Sequence, residues 1–262
     1  MRKKNLSWKI AVKHNNELTF VNQPKKSFWA DPFLISDKEI NYIFFEELKP
    51  NGLGAISCIV LNENFEITDK QIILDKEYHL SFPNVFELNE QFYLIPESSA
   101  NNSLDLYYCK QFPFDWQFQK ILIDNIRLID PILLFHDNIY WIFANKIEDF
   151  EFDNNERLYL FYTNDLFSDK WQSHPQNPIV HNASLAHNAG KIYTQNNKMY
   201  RVSQNCSSSY GQNLVISQIT TLTTTQYNEQ KCEEIYSDKK YNGMHTMNNA
   251  KNIQVFDFLV AD

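Results

Sequence analysis

Two aspartates followed by proline, Asp31-Pro32 and Asp130-Pro131, open apolar runs that share one layout. An aromatic residue stands ten positions after the proline and a polar residue fourteen after it: Tyr42 and Glu46 in the first run, Trp141 and Asn145 in the second. Phe82-Pro83 repeats the layout with Tyr93 and Glu97. Carboxyl groups brought together this way are the means of acid–base chemistry at a glycosidic bond. One gives a proton to the leaving oxygen, and the other takes one from the attacking hydroxyl or attacks the sugar itself. Asp31, Asp130, Glu46 and Glu97 are therefore candidate residues of a sugar site. An Asp before Pro also caps a turn, and Glu46 and Glu97 also read as solvated strand ends.

Other side chains near these runs suit a polyhydroxyl ligand, which demands paired donors and acceptors. Glu46, Gln204 and Asp257 occupy the polar position of their runs. His79, His187 and His245 stand close to run starts, and Tyr210 lies in a connection that would face the same place. Trp29, two residues before Asp31, is placed to stack on a sugar ring or to pack between repeats. Arg201 is placed to hold an anionic group or to form a structural ion pair. The histidines lack the spacing of a metal site, and no metal-ligand set is read from the sequence.

The elements that must position these residues follow from the repeat itself. Gly190 and Gly243 stand for the proline in two fainter copies, with Tyr200 and Gln204, then Ile253 and Asp257, at the same offsets. Successive copies begin 51, 48, 59 and 53 residues apart. The openers just before the Pro or Gly are Asp31, Phe82, Asp130, Ala189 and Asn242. A second series links Leu104-Asp105-Leu106-Tyr107-Tyr108 to Leu158-Tyr159-Leu160-Phe161-Tyr162, with Trp116 and Trp171 following. Alternation within these runs is that of strands. About 50 residues and four strands per unit is the arithmetic of a propeller blade. The expected fold is all-β: one five-bladed β-propeller over residues 1–262, about four antiparallel strands per blade, with 1–27 as a closing segment of one strand and a loop. The first strand of every blade lines the axis, so openers far apart in sequence converge there.

Bulk properties exclude several functions. Net charge is −8, against a phosphate-backbone groove and nucleic-acid partners. No dinucleotide fingerprint, P-loop, serine-hydrolase elbow or zinc-protease motif is present. The four cysteines form no close pair and read as ordinary buried thiols. Only 5 glycines occur, so Asn and Asp take over turns such as Asn62-Glu63-Asn64, Asp137-Asn138 and Asn196-Asn197. No stretch has the length of a membrane span, and Lys9, Lys13 and His14 interrupt any leader-like run. The expected location is cytoplasmic, at most peripheral on the inner face of a membrane through the acceptor.

These residues carry a family resemblance. Phe28-Trp29-Ala30-Asp31-Pro32-Phe33, Tyr78-His79-Leu80-Ser81-Phe82-Pro83 and Ile95-Pro96-Glu97-Ser98 resemble the N-terminal domain of plant glucosamine inositolphosphorylceramide transferases. So do Tyr200-Arg201, Gln204-Asn205-Cys206, Tyr210-Gly211 and Gly243-Met244-His245-Thr246, and the similarity runs roughly from Phe28 to Phe258. That domain is similar in turn to the five-bladed furanosidase and fructosidase propellers. The likeness implies Asp31 as base or nucleophile, Asp130 as the residue that tunes the site, and Glu97 as acid. Gln204 stands where some of those hydrolases keep a blade-four acid. Stand-alone bacterial propellers of this look transfer ribofuranose from phosphoribosyl pyrophosphate to O-antigen or capsule glycans. The expectation is thus a glycosyltransferase of surface-polysaccharide synthesis, making an inverting transfer of a pentofuranose. Its partners would be a sugar-phosphate donor, with magnesium accompanying a pyrophosphate, and a glycan or lipid-linked glycan acceptor. Arg201, His187 and His245 would neutralise the phosphate. A furanosidase-type hydrolase and a non-catalytic sugar-binding propeller are the alternatives.

Overall fold

The computed structural model describes residues 6–37, 40–148 and 154–261. Its strands form five antiparallel sheets around one axis, the five-bladed propeller expected. Blade one holds Trp29–Asp37, Ile40–Leu48, Gly54–Leu61 and Ile67–Leu74 in order from the axis outward. Blade two holds Ser81–Leu88, Gln91–Glu97, Ser103–Gln111 and Asp115–Asp124. Blade three is built on Leu128–His136, Ile139–Lys146 and Arg157–Thr163, and blade four on Lys198–Asn205, Asn213–Leu222 and Tyr227–Ile235. Blade four's inner strand is split into His187–Asn188 and Tyr193–Gln195.

Blade five joins the two ends of the chain. Met247–Ala250 and Ile253–Ala261 continue into Leu6–His14, which pairs with Ile253–Ala261 over nine residues, and Glu17–Phe20 forms the outer edge. The closing segment thus supplies two strands where one was expected; its residues 1–5 lie outside the described residues.

Each blade is packed between two others, so its strands bury both faces. In blade one, Phe33, Phe44, Ile56 and Cys58 enter the cluster shared with blade two. Their alternates Leu34, Ile43, Phe45, Ile59 and Leu61 meet Ile10, Val12 and Val255 of blade five. This is why the strands read as apolar runs broken mainly where polar residues approach the axis. The shortage of glycine is met as expected. Asn15-Asn16, Asn89-Glu90, Asp137-Asn138 and Asn196-Asn197 take positive φ at both turn positions, the geometry of tight two-residue hairpins. Glycine is indispensable where blades four and five meet. A Cβ on Gly190 (φ +147°) would fall 2.0 Å from the Met247 carbonyl oxygen.

Candidate active site

The Asp-Pro and Phe-Pro dipeptides are β-bulges. Pairing with the second strand slips between Ala30 and Phe33, Ser81 and Asn84, and Ile129 and Ile132. At each slip the residue before proline is left-handed: Asp31 at φ 52°, Phe82 at 45°, Asp130 at 49°. Asp tolerates this conformation, whereas a bulky residue such as Phe82 rarely adopts it. The bulge turns the opener's N–H out of its own sheet, and carboxylates receive it. Asp257 Oδ2 accepts from Asp31 N–H (2.9 Å), Asp31 Oδ2 from Phe82 N–H (3.3 Å) and Glu97 Oε2 from Asp130 N–H (3.1 Å). Amides complete the ring: Asn188 donates to the Asp130 and Phe143 carbonyls, and Asn248 to that of Pro32. The polar positions therefore clasp blade to blade as well as lining the axis.

Register corrects two openers. Ala30, Ser81 and Ile129 face Glu46, Glu97 and Asn145. In blade four His187 faces Gln204, making Asn188 the opener in place of Ala189. In blade five Asp257 Oδ1 accepts from the N–H groups of His245 and Thr246, making Thr246 the opener in place of Asn242. The hairpin there is shorter, so the fourteen-residue offset fails.

Around these residues lies a cavity of about 550 Å³, lined by Asp31, Glu46, His79, Glu97, Asp130, His187, Tyr210 and His245, with Trp8, Phe28, Ser81, Ile129, Asn154 and Asn155. His245 sits at its centre of charge. Its Nε2 is 3.3 Å from Asp31 Oδ1 and its Nδ1 is 2.8 Å from Asp257 Oδ2. Thr246 also donates to Asp31 Oδ1 (3.0 Å). Burial alone would depress the imidazole, but the charges of Asp257, Asp31 and Asp130 outweigh it and push the pKa up to about 9. On the other wall His187 Nε2 lies 2.8 Å from Asp130 Oδ2, and Gln204 Nε2 approaches the same oxygen at 3.5 Å. Burial raises Asp130 well above the carboxylate range, and the charge of Glu97 and its hydrogen bond raise it further. Asp31 is likewise raised well above that range by burial, and the imidazolium of His245 offsets only part of the rise. Glu97 is anchored by Ser99 Oγ (2.7 Å) and by the Asp130 N–H. At the rim His79 Nε2 reaches Glu46 (3.2 Å) while its Nδ1 accepts the Gly54 N–H.

The chemistry follows from these environments. Asp31 is the carboxyl that faces a cation, the geometry of a group that accepts a proton. Asp130 is buried, held above the carboxylate range and fit to carry a proton, with Glu97 beside it. Two carboxyl roles are thus separated by surroundings. Donor atoms of Asp31, His245 and Asp257 lie within 4.8 Å of one another, the span of a metal site. Both ring nitrogens of His245 already face carboxylates, however, and a cation would have to displace their protons. The cluster fits an ion-paired imidazolium better than a metal.

These shifts predict a pH dependence. A raised pKa means that the folded state binds protons more tightly than the unfolded chain, so its contribution is complete below the unfolded value and lost as pH rises through the folded one. For His245 that window runs from 6.5 to about 9, and the contribution is on the order of 3 kcal/mol. The melting temperature should fall across this range. His245→Gln should flatten the fall, as read by thermal denaturation at stepped pH; equal slopes in parent and variant would mean that the fall has another source than the imidazolium.

Two expected ligands lie elsewhere. Trp29 is fully buried against Phe45 (4.6 Å) between blades one and five and cannot stack on a sugar. Arg201 is fully buried, bonded to Glu229, the Leu185 carbonyl and Asn188. Its strand presents Gln204 to the axis and Arg201 to the interior. Cys58 and Cys109 are buried as expected, but Cys206 is half-buried and Cys232 exposed on an outer strand. Sequence reading missed Trp8, whose ring stacks on His245 at 3.9 Å. A Cβ on Gly211 (φ +63°) would fall 2.9 Å from His245 Cβ and 3.0 Å from the Trp8 ring, so glycine makes room for the stack. Trp8 lies in the closing segment, where no repeat could flag it.

Comparisons with known proteins give the family and the fold. A family model described as glucosamine inositolphosphorylceramide transferase 1, N-terminal, matches residues 3–257. Proteins named glucosamine inositolphosphorylceramide transferase 1 from Arabidopsis thaliana and Oryza sativa subsp. japonica are each 32% identical over 209 residues, 78% of this chain. The chain spans only 27% and 28% of those relatives. Among solved structures, a family 117 glycoside hydrolase of Zobellia galactanivorans superposes with a TM-score of 0.64 at 11% identity, over 99% of this chain and 92% of that one. The catalytic domain of a GH62 α-L-arabinofuranosidase from Coprinopsis cinerea gives 0.66 at 10%, over 98% and 99%. At these identities the structural likeness is one of fold.

Proposed function

The chain belongs to the family of glucosamine inositolphosphorylceramide transferase 1 N-terminal domains, and from that premise we propose that its axial funnel performs glycosyl transfer. The observation that carries this reading is the pairing of two unlike carboxyl environments at one cavity: Asp31 beside the His245 imidazolium, and buried Asp130 beside Glu97. In a single displacement the acceptor hydroxyl gives its proton to Asp31 as its oxygen bonds the anomeric carbon. The bond to the leaving oxygen breaks, and that oxygen takes a proton from Asp130, beside which Glu97 lies. His187 and Gln204 orient Asp130. Glu46 and His79 supply hydroxyl contacts at the rim.

A pentofuranosyl group is the donor sugar to try first, since the fold is that of a protein named an arabinofuranosidase. We place the acceptor among glycans and lipid-linked glycans, the surface-polysaccharide acceptors included. A phosphoribosyl pyrophosphate donor with magnesium has lost its main support. Arg201 is committed inside blade four, and among the described residues the cavity lining has no Lys or Arg. Its histidines each face a carboxylate. Hydrolysis is the second reading, favoured by the same buried acid Asp130, which a pyrophosphate leaving group would not need.

A melting-point titration separates these possibilities, because a ligand of the folded state alone raises the transition by mass action. Pentoses and aryl pentofuranosides should stabilise the protein, and phosphoribosyl pyrophosphate with magnesium should not. The reverse pattern would restore the phosphate-donor reading. With an aryl furanoside as donor, product analysis with and without a glycan acceptor then distinguishes transfer from hydrolysis.

A further inference from the structure

Charge is unevenly divided along the chain. Residues 1–27 carry seven Lys or Arg and a single acid, Glu17, a balance of +6; the remaining 235 residues carry −14. Arg2, Lys3 and Lys4 lie outside the described residues, but Lys9, Lys25 and Lys26 can be placed. They line a second cavity of about 590 Å³ with Phe20, Val21 and Pro24, and among the described residues no acidic one contributes to it. This cavity and the funnel have no described lining residue in common, but they are joined through the closing segment. Trp8 and Phe28 line the funnel, while their chain neighbours Lys9 and Ser27 are joined by a hydrogen bond from Lys9 Nζ to the Ser27 carbonyl (3.0 Å). Gln23 and Ser7 tie the same segment to the closing strand. Pro24, Lys25 and Lys26 are exposed, and Leu6, at the end of that strand, is 47% exposed.

We infer that this basic, partly apolar edge docks on an anionic phospholipid surface and presents the funnel mouth to a membrane-borne acceptor. The inference rests on the lipid-linked acceptor reading proposed above. Lysines near such a surface are attracted to its headgroups within a Debye length, while their stems lie along apolar neighbours. The strongly acidic remainder of the molecule is repelled by the same surface. The two forces together orient the propeller with its closing segment toward the lipid. An acceptor headgroup then meets a funnel lined by Trp8 and Phe28 together with the carboxyls.

Vesicle flotation tests this with the intact chain. The protein should float with phosphatidylcholine vesicles doped with phosphatidylserine at low salt, stay behind with phosphatidylcholine alone, and be released at high salt. The double variant Lys25→Glu/Lys26→Glu, at exposed sites away from the carboxyls, should keep its melting temperature and lose roughly tenfold or more of the binding. Absence of flotation, equal flotation with both vesicle types, or an unchanged double variant would overturn the inference. Stabilisation by soluble sugars is followed on the same preparations. If it persists without vesicle binding, the docking surface fails and the glycosyl-transfer reading stands. Vesicle binding without any sugar effect supports the docking surface and counts against glycosyl transfer.

Discussion

Asparagine in place of Asp31 is expected to cut glycosyl transfer by about 10²–10⁴-fold, the usual worth of a positioned general base. The substitution keeps side-chain size, and Asn tolerates the left-handed φ of 52° that the bulge requires. It removes the charge that faces His245 Nε2, so the imidazole pKa should drop from about 9 toward its ordinary value. The fold bears a smaller cost. Asp31 accepts on both oxygens, from Thr246 Oγ1 and from the Phe82 N–H. An amide must turn its NH₂ toward one of these donors. That mismatch costs about 1–3 kcal/mol, partly offset because one fewer charge is buried. Activity and melting temperature should therefore separate, with a large loss in the first and a few degrees in the second. Full activity in a folded Asp31→Asn protein would remove this residue from the chemistry and return the carboxylate ring to a purely architectural role.

That architectural role explains both what could be read from the chain and what could not. The bulges were legible because proline follows each left-handed opener in blades one to three, and hairpins of constant length held the polar partner at a constant offset. The same signal blurred in blades four and five. There Ala189 and Met247 stand in the proline position, and the blade-five hairpin is shorter, so register alone identifies Asn188 and Thr246. Asp257 is a polar axial residue, though not at the offset counted from the true opener, and its service to His245, 12 positions away, and to the Asp31 N–H, 226 positions away, leaves no local trace. Trp29 and Arg201 were misplaced for a common reason. A blade strand has two buried faces, and period-two alternation does not say which face meets the axis and which a neighbouring blade.

Arg201 is where that distinction has its largest energetic consequence. Its guanidinium makes a bidentate pair with Glu229, at 2.8 Å from Nε and 2.6 Å from Nη2, and both side chains are almost wholly buried (0% and 7% exposed). Tyr227 Oη donates to the same carboxylate (2.5 Å), and Nη2 also donates to the Leu185 carbonyl (2.7 Å). Removing one partner strands the other's charge in the interior, at a cost of about 3–5 kcal/mol. Arg201→Met is therefore expected to lower the melting temperature by about 10 °C for a domain of this size. Its folded fraction should still bind a sugar ligand, apart from what is transmitted through Asn188, which meets Nη1 at 3.4 Å and holds the Asp130 carbonyl. Arg201→Met/Glu229→Met should recover much of the loss, because a well-packed apolar pair commonly replaces a buried ion pair at little cost. Thermal denaturation of both variants, with ligand titration of each, decides the matter. A phosphate-binding arginine would give the opposite pattern: unchanged melting, lost affinity for an anionic donor, and no rescue by the second substitution.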